Sequence, residues 1–315
     1  MIDFIPFSIK QDGLVEKLKS ELNFTSCLTK NNNLVWSALY KKMKIKIFEP
    51  SMEIHVAGSL HYLKNEGLHN WNDFTRLELF DTIIGFCNRF GIDPKNAKLR
   101  GVEFGVNIKV PFEPSYFIKR VLAYKKGKIE QLTAKAEKSD AIKICFDQYR
   151  LKIYNKSKQF GTDSNILRFE VKISRMAKVW GMTELKTLHD LLKPEILQKL
   201  GRILLSEFNE LIVSEPMQTE RMTIRERATF ERMNNREFWE LITNKSNRRN
   251  AKSNFKKLKE KYGTGLHKTT SILISEKWNE LLQCQYVEQR TNLAPFNRVK
   301  IMLKNENKDE MQATL

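Results

Sequence analysis

Acidic residues are scarce in this chain. Its 315 residues carry 37 aspartates and glutamates against 55 lysines and arginines, a formal net charge of +18. A cationic surplus of that size favours a polyanionic partner, either nucleic acid or an anionic membrane surface. No apolar run is long enough to span a bilayer, and the lysines are scattered instead of flanking one hydrophobic face, so the membrane is the weaker choice. The N-terminal MIDFIPFSIKQDG lacks the basic start and apolar core of a signal peptide. The four cysteines, Cys27, Cys87, Cys145 and Cys284, include no C-x-x-C pair. A zinc site is therefore not expected, and buried, reduced thiols of a cytoplasmic protein are.

The most informative stretch is Ile142–Met176, where three short runs alternate apolar and polar residues at the period of half-buried strands. Leu151 and Ile153 share one face of the middle run, leaving Lys152, Tyr154 and Lys156 on the other. Leu167, Phe169, Val171 and Ile173 do the same in the third, leaving Arg168, Glu170 and Lys172. Upstream, Ile54 and Val56 alternate with Glu53 and His55. From Leu99 to Val110, apolar residues at even positions alternate with Glu103, Gly105, Asn107 and Lys109. Gly58 marks a bulge or a close backbone approach, and VAGSLHYLKN extends the strand toward Asn65.

Helical signals lie between and after these strands. Thr75 with Glu78 forms a capping box ahead of the stripe Leu77, Phe80, Ile83, Ile84 and Cys87, and Gly91 ends that helix. Helices are also expected over 116–124, 183–192 and 195–213, with Pro194 opening the last. A basic loop or further helical turn is expected over 125–141. Ser214-Glu215-Pro216 then breaks the pattern. Beyond it come a capping box at Thr223 and Glu226, a similar pair at Asn234 and Glu237, and a run at 245–261 with eight cations and one acid, Glu260. Trp239 and Trp278 are expected in the core, while Phe255 and Tyr262 are available for stacking. A polar tail follows Lys304.

If the polar strand faces coincide, they bring together a phenol, cations and acids. Carboxylates held that close repel one another unless a cation sits among them. A hard divalent ion, Mg²⁺ or Mn²⁺, suits oxygen donors from Glu103, Glu170 and Glu53, with His55 as a nitrogen ligand. Such an ion activates a phosphate for attack by the Tyr154 oxygen, and Lys156 stabilises the charge that develops. Arg168, Lys152, Asn107, His61 and Lys64 are candidate DNA contacts beside this set; Arg248, Arg249, Lys252 and Lys256 are candidates on the basic run. The bland alternative is a solvated face of an antiparallel sheet, which carries the same residue types.

LKIYNKSKQ (151–159), followed by LRFEVKIS (167–174), resembles the replication initiators of rolling-circle plasmids and phages. The likeness is to the proteins grouped with the filamentous-phage gene II and X products and to plasmid initiators with an I-Y-x-K tyrosine motif. VAGSLHYLKN (56–65) and GVEFGVNIKV (101–110) resemble the upstream motifs of that group. The resemblance covers residues 50–192 and implies that Tyr154 nicks one DNA strand, that Glu103 and Glu170 bind metal, and that Lys156 is the motif lysine. It also implies a bacterial host cytoplasm, a replication origin as substrate, and a host helicase and polymerase as partners. No His-hydrophobe-His pair occurs in the chain, which departs from the two-histidine rolling-circle nucleases. Some plasmid initiators carry an acid where Gln159 stands.

The expected fold is α+β: a mainly antiparallel sheet with helices packed on one face, in two similar halves within one sheet, then a C-terminal helical domain. The expected division is a catalytic domain at 1–214 and a basic helical DNA-binding domain at 217–315. The expected function is single-strand DNA nicking and rejoining that starts rolling-circle replication. The alternative is a non-catalytic DNA-binding repressor or replication accessory protein. A conjugative relaxase of the same chemistry is not separated from the first reading.

Overall fold

The architecture is that of a computed structural model, which describes residues 1–29, 31–132 and 140–283. The polar tail beyond Lys304 and Cys284 lie outside the described residues, as does part of the 125–141 segment. The fold is α+β and every strand pairing is antiparallel.

The chain opens with β1 (Phe4–Ile9) and α1 (Leu14–Glu21), then runs through β2 (Thr25–Leu28), β3 (Leu34–Tyr40), β4 (Met43–Phe48) and β5 (Glu53–Ser59). Ile54 and Val56 of β5 are buried while Glu53 and His55 point outward, as their alternation requires. Gly58 is a close approach: a Cβ there would sit 2.5 Å from the Met43 sulfur. The strand does not continue to Asn65. The Ser59 side chain accepts the Tyr62 amide and starts a short helix, α2 (Leu60–Lys64). Next, α3 (Arg76–Phe90) begins at the Thr75/Glu78 capping box and ends at Gly91, whose φ of 69° is one that glycine tolerates best.

The alternating run from Leu99 to Val110 is not one strand. It splits into β6 (Lys98–Leu99) and β7 (Val102–Lys109). At the break a Cβ on Gly101 would lie 2.6 Å from the Ile173 carbonyl oxygen and 3.1 Å from Pro6. The broken strand serves two sheets: β6 pairs with β1, and β7 with a strand from the second half of the chain. Thus the single sheet expected from sequence is two sheets, joined through this strand and the Ile2–Phe104 bridge.

A five-residue helix, α4 (Pro114–Ile118), precedes β8 (Val121–Tyr124), where one longer helix was expected. Val121 to Tyr124 are buried on both faces, so the run pairs as a strand. The basic 125–141 segment contains β9 (Ile129–Gln131). It leads to β10 (Ala141–Cys145), β11 (Tyr149–Asn155), α5 (Lys156–Phe160) and β12 (Ile166–Ile173). The first sheet has the order β2-β3-β4-β5-β1-β6 and the second β7-β12-β11-β10-β9. Cys87 is buried as expected, but Cys27 and Cys145 are exposed. Cys145 is the last residue of β10, where the burial pattern gives out.

After β12, α6 (Ala177–Thr183) ends where a helix was expected to begin, and His189–Leu192 is a single 3₁₀ turn. Pro194 opens α7 (Pro194–Asn209), which is followed by β13 (Leu211–Val213), the partner of β8. The apolar faces of β7 and β12 are covered by α7, with Phe208 against Phe169 at 5.2 Å. Then come α8 (Ile224–Met233), α9 (Arg236–Leu241), α10 (Lys245–Tyr262) and α11 (Leu266–Gln283).

Phe230, Trp239 and Phe255 of α8–α10, together with Leu122, Ala123 and Ile212 of the β8/β13 ribbon, build a second, smaller core. The sheet-side core instead takes in α11: Trp278 is buried there and donates to the Leu197 carbonyl. The two cores interleave along the chain: Leu122, Ala123 and Ile212 belong to the smaller one, while Leu266, Trp278 and Leu281 of the last helix belong to the larger.

Candidate active site

Register places the polar faces side by side. Lys152 of β11 lies opposite Glu170 of β12, Tyr154 opposite Arg168, and Arg168 in turn opposite Asn107 of β7. Gly105 sits opposite Glu170, where a Cβ would come within 2.7 Å of the Glu170 Cβ. A side chain at 105 would displace the acid, so the glycine makes the room that Glu170 occupies.

This face is not solvated. Tyr154, Glu170 and Arg168 are buried, and Lys156 is 2% exposed. The side chains interlock instead of facing water. Arg168 donates through Nε to Glu170 Oε2 at 2.7 Å, through Nη1 to Asn107 Oδ1 at 3.1 Å and through Nη2 to Asp3 Oδ2 at 3.1 Å. The Tyr154 hydroxyl lies 3.4 Å from the same Glu170 oxygen. Lys152 and Lys156 ammonium groups sit 4.8 and 5.5 Å from the Tyr154 ring centre. Glu103 pairs with Lys172 at 3.2 Å.

The sequence reading missed Asp3. It is held just ahead of β1 by backbone hydrogen bonds to Glu103 and Leu60, and its carboxylate also accepts from Ser59. Carboxylate oxygens of Asp3, Glu103 and Glu170 all lie within 4.8 Å of one another. A lone acid inside the apolar MIDFIPF was the available signal, since a buried charge needs partners. Asn70, also missed, donates to Asp3 and accepts from Lys156, each at 3.4 Å. It brings the 65–73 loop to the rim of the cluster.

The electrostatics follow from this crowding. Burial opposes the Asp3 charge, but the Arg168 guanidinium and the Ser59 hydroxyl outweigh it and hold the carboxyl below its usual range. Glu103 moves upward, through burial first and the Glu170 charge second. Burial and the Glu170 charge raise the Tyr154 phenol well above its ordinary value. Burial, helped by Arg168, lowers Lys156 to about 7, so its amine is about half neutral near neutral pH.

Three carboxylates in this spacing form an all-oxygen donor set, the type that suits a hard divalent cation. Glu103 is raised because burial opposes its charge, and the neighbouring Glu170 adds to that.

Several candidates fall elsewhere. Glu53 and His55 sit toward the opposite end of β5 from Ser59, about 20 and 13 Å along the strand at 3.3 Å per residue, and they face one another at 3.3 Å. They are not part of the acid cluster, because same-face alternation says nothing about position along a strand. His61 is buried, stacks on Phe74 at 5.0 Å and meets Asn72 at 2.7 Å. Burial drops its ring to about 4, so it anchors the 65–73 loop as a neutral imidazole and is not open to DNA. Lys64 pairs with Glu78.

Tyr149 is the first residue of β11. Its hydroxyl meets Tyr124 and Lys125 on the core face, opposite to Tyr154. On α10, Arg249 is exposed, Lys252 pairs with Glu210 and Lys256 with Glu260. Arg248 is half-buried and donates to the Trp239 carbonyl. Phe255 and Tyr262 are buried and offer no stacking surface.

No protein-family model matches this chain, and no curated protein matches it. Among solved structures, the chain is similar to the rolling circle replication initiator protein from Geobacillus stearothermophilus. The two are 15% identical with a TM-score of 0.42, over 69% of this chain and 86% of that one. No helix among the described residues is long and apolar enough to cross a membrane.

Proposed function

We propose that this protein nicks one DNA strand with Tyr154 and so starts rolling-circle replication of a phage or plasmid. The observation that carries the reading is the Tyr154 hydroxyl beside Glu170 within the Asp3–Glu103–Glu170 cluster. The Tyr154 oxygen attacks the scissile phosphorus, and the bond from phosphorus to the 3′ oxygen breaks. The 5′ phosphate stays on the tyrosine, and the released 3′ oxygen takes up a proton to become the hydroxyl a polymerase extends.

Glu170 is the group placed to accept the phenolic proton. Arg168 supplies fixed positive charge toward the phosphoryl oxygens, and Lys156, about half protonated near neutral pH, supplies charge or a proton there. Asp3, Glu103 and Glu170 would hold Mg²⁺ or Mn²⁺, and the ion supplies Lewis-acid polarisation of the phosphate when bound. Burial first and the Glu170 charge second favour the protonated phenol, and a divalent ion held by the acids would offset the second of these.

A supercoiled plasmid bearing the cognate origin should be relaxed in Mg²⁺ or Mn²⁺, with protein left on the 5′ end. Nicking by Tyr154→Phe at the wild-type rate would remove the nucleophile assignment. A second reading, a DNA-binding protein without catalysis, draws on Arg168, which already neutralises Asp3 and Glu170. It requires DNA binding that survives Tyr154→Phe, Glu103→Gln and Glu170→Gln combined, with no metal-dependent cleavage by the unaltered protein.

A further inference from the structure

On α10 the residues split cleanly by side. Ala251, Phe255, Leu258 and Tyr262 are buried against the small core. Ser246, Arg249, Asn250 and Ser253, at the i, i+3, i+4, i+7 spacing, are all exposed. This outward stripe holds no acid and no aromatic residue. Arg and Asn are the side chains that make paired hydrogen bonds to guanine and adenine edges.

Beside the stripe, the turn after β8 brings Lys125 and Lys126 to the start of α10, about 120 residues away in sequence. Together they line a groove of about 900 Å³ with Lys245, Arg248, Arg249 and Lys252; six cations in all face one acid, Glu210. Lys125 is tied to Glu207 and Lys252 to Glu210, while Lys126, Lys245 and Arg249 have no acidic partner among the described residues.

We infer that α10 enters the major groove of duplex DNA. In this arrangement Arg249 and Asn250 read base edges, and Lys126 and Lys245 grip phosphates along one side. The inference shares with the proposed function only its DNA partner. An α-helix with side chains is about 10–12 Å across and the major groove about 12 Å wide. α9 and α10 are joined by three residues, 242–244, as in helix-turn-helix pairs, where the second helix reads DNA through its N-terminal half. Single-stranded DNA is the poorer occupant, because strand binding uses exposed aromatic platforms and the outward side of α10 has none. A lipid surface would need an exposed apolar stripe, which is also lacking.

The test is selection of bound sequences from a randomised duplex library by the full-length protein, with salt titrations on one selected duplex. The wild type should enrich a motif that Arg249→Ala and Asn250→Ala each relax at one or two positions. Lys126→Ala with Lys245→Ala should weaken binding to all duplexes alike and reduce the salt slope by about 2. All four residues are exposed, and circular dichroism checks that the variants fold. The inference is overturned by an unchanged motif in both base-reading variants, by an unchanged salt slope, or by single strands competing as well as duplex. Tyr154→Phe should select the wild-type motif. Motif selection without any nicking by the wild type would sink the catalytic reading and leave this one standing; nicking with an unchanged motif in both base-reading variants would do the reverse.

Discussion

The polar face of the five-stranded sheet and the outward face of α10 are both dense in charge and handle it in opposite ways. On the sheet, Arg168, Asp3 and Glu170 are almost wholly shielded from water and bonded to one another. Taking such groups out of water costs several kcal/mol per ion, and even good pairing does no more than offset it. On α10, Lys245, Arg249, Lys256 and Lys257 stay in water, where their charge costs little and their pairings contribute little. The difference teaches how to read the two. A buried, mutually constrained set of opposed charges is a poor device for stability and a good one for fixing geometry around a reacting group. Exposed cations of one sign are suited to holding a polyanion by its phosphates.

Perturbing each region separately tests that division, and the largest effect belongs to the sheet. Tyr154→Phe should lower nicking by roughly 10³-fold or more while leaving duplex affinity unchanged, measured by plasmid relaxation and fluorescence anisotropy. Arg168→Met should cost about 3–5 kcal/mol in urea unfolding, because Asp3 and Glu170 are left buried without their cation. A loss under 1 kcal/mol would mean the cluster is wetter than its packing implies.

The seam between the regions supplies a pH effect. Burial, with Lys259 and Lys252 nearby, lowers the His267 ring to about 4, and the ring meets the Phe208 carbonyl. The unfolded chain takes up a proton near 6.5 and the folded one only near 4. This contribution is therefore full above pH 6.5 and is lost as the pH falls toward 4, by at most about 3 kcal/mol. His267→Gln should flatten that part of the stability profile. Smallest of all, Lys256→Gln with Lys257→Gln should change stability by no more than about 0.5 kcal/mol, yet still lower the salt slope of DNA binding.

The same contrast explains what could be read in the sequence. Period-two alternation assigned faces correctly in β5, β7, β11 and β12, and so anticipated Tyr154, Glu170, Glu103 and Asn107 on one surface. It carries no information on position along a strand, which is why Glu53 and His55 were grouped with acids at the other end of β5. It also passed over Asp3, since a residue before the first strand belongs to no repeat. Gly101 lay unremarked inside the expected Leu99–Val110 strand because its role, letting one chain segment leave the first sheet for the second, depends on Pro6 and Ile173. The runs at 116–124 and 183–192 misled for a related reason: helical spacing was present over too few turns, and burial on two faces decided the first as strand. Capping boxes at Thr75 and Thr223 were legible because each is complete within four residues. The third cap lies at Asn235, one residue beyond the expected Asn234.

The most direct measurement is mass spectrometry of the protein after incubation with a randomised supercoiled plasmid library and Mg²⁺ or Mn²⁺, followed by nuclease and protease digestion. The account predicts one nucleotide-bearing peptide, linked through Tyr154, which disappears with EDTA and in Asp3→Asn. A nucleotide on any other tyrosine, or DNA bound tightly with no covalent product under any metal, would contradict it.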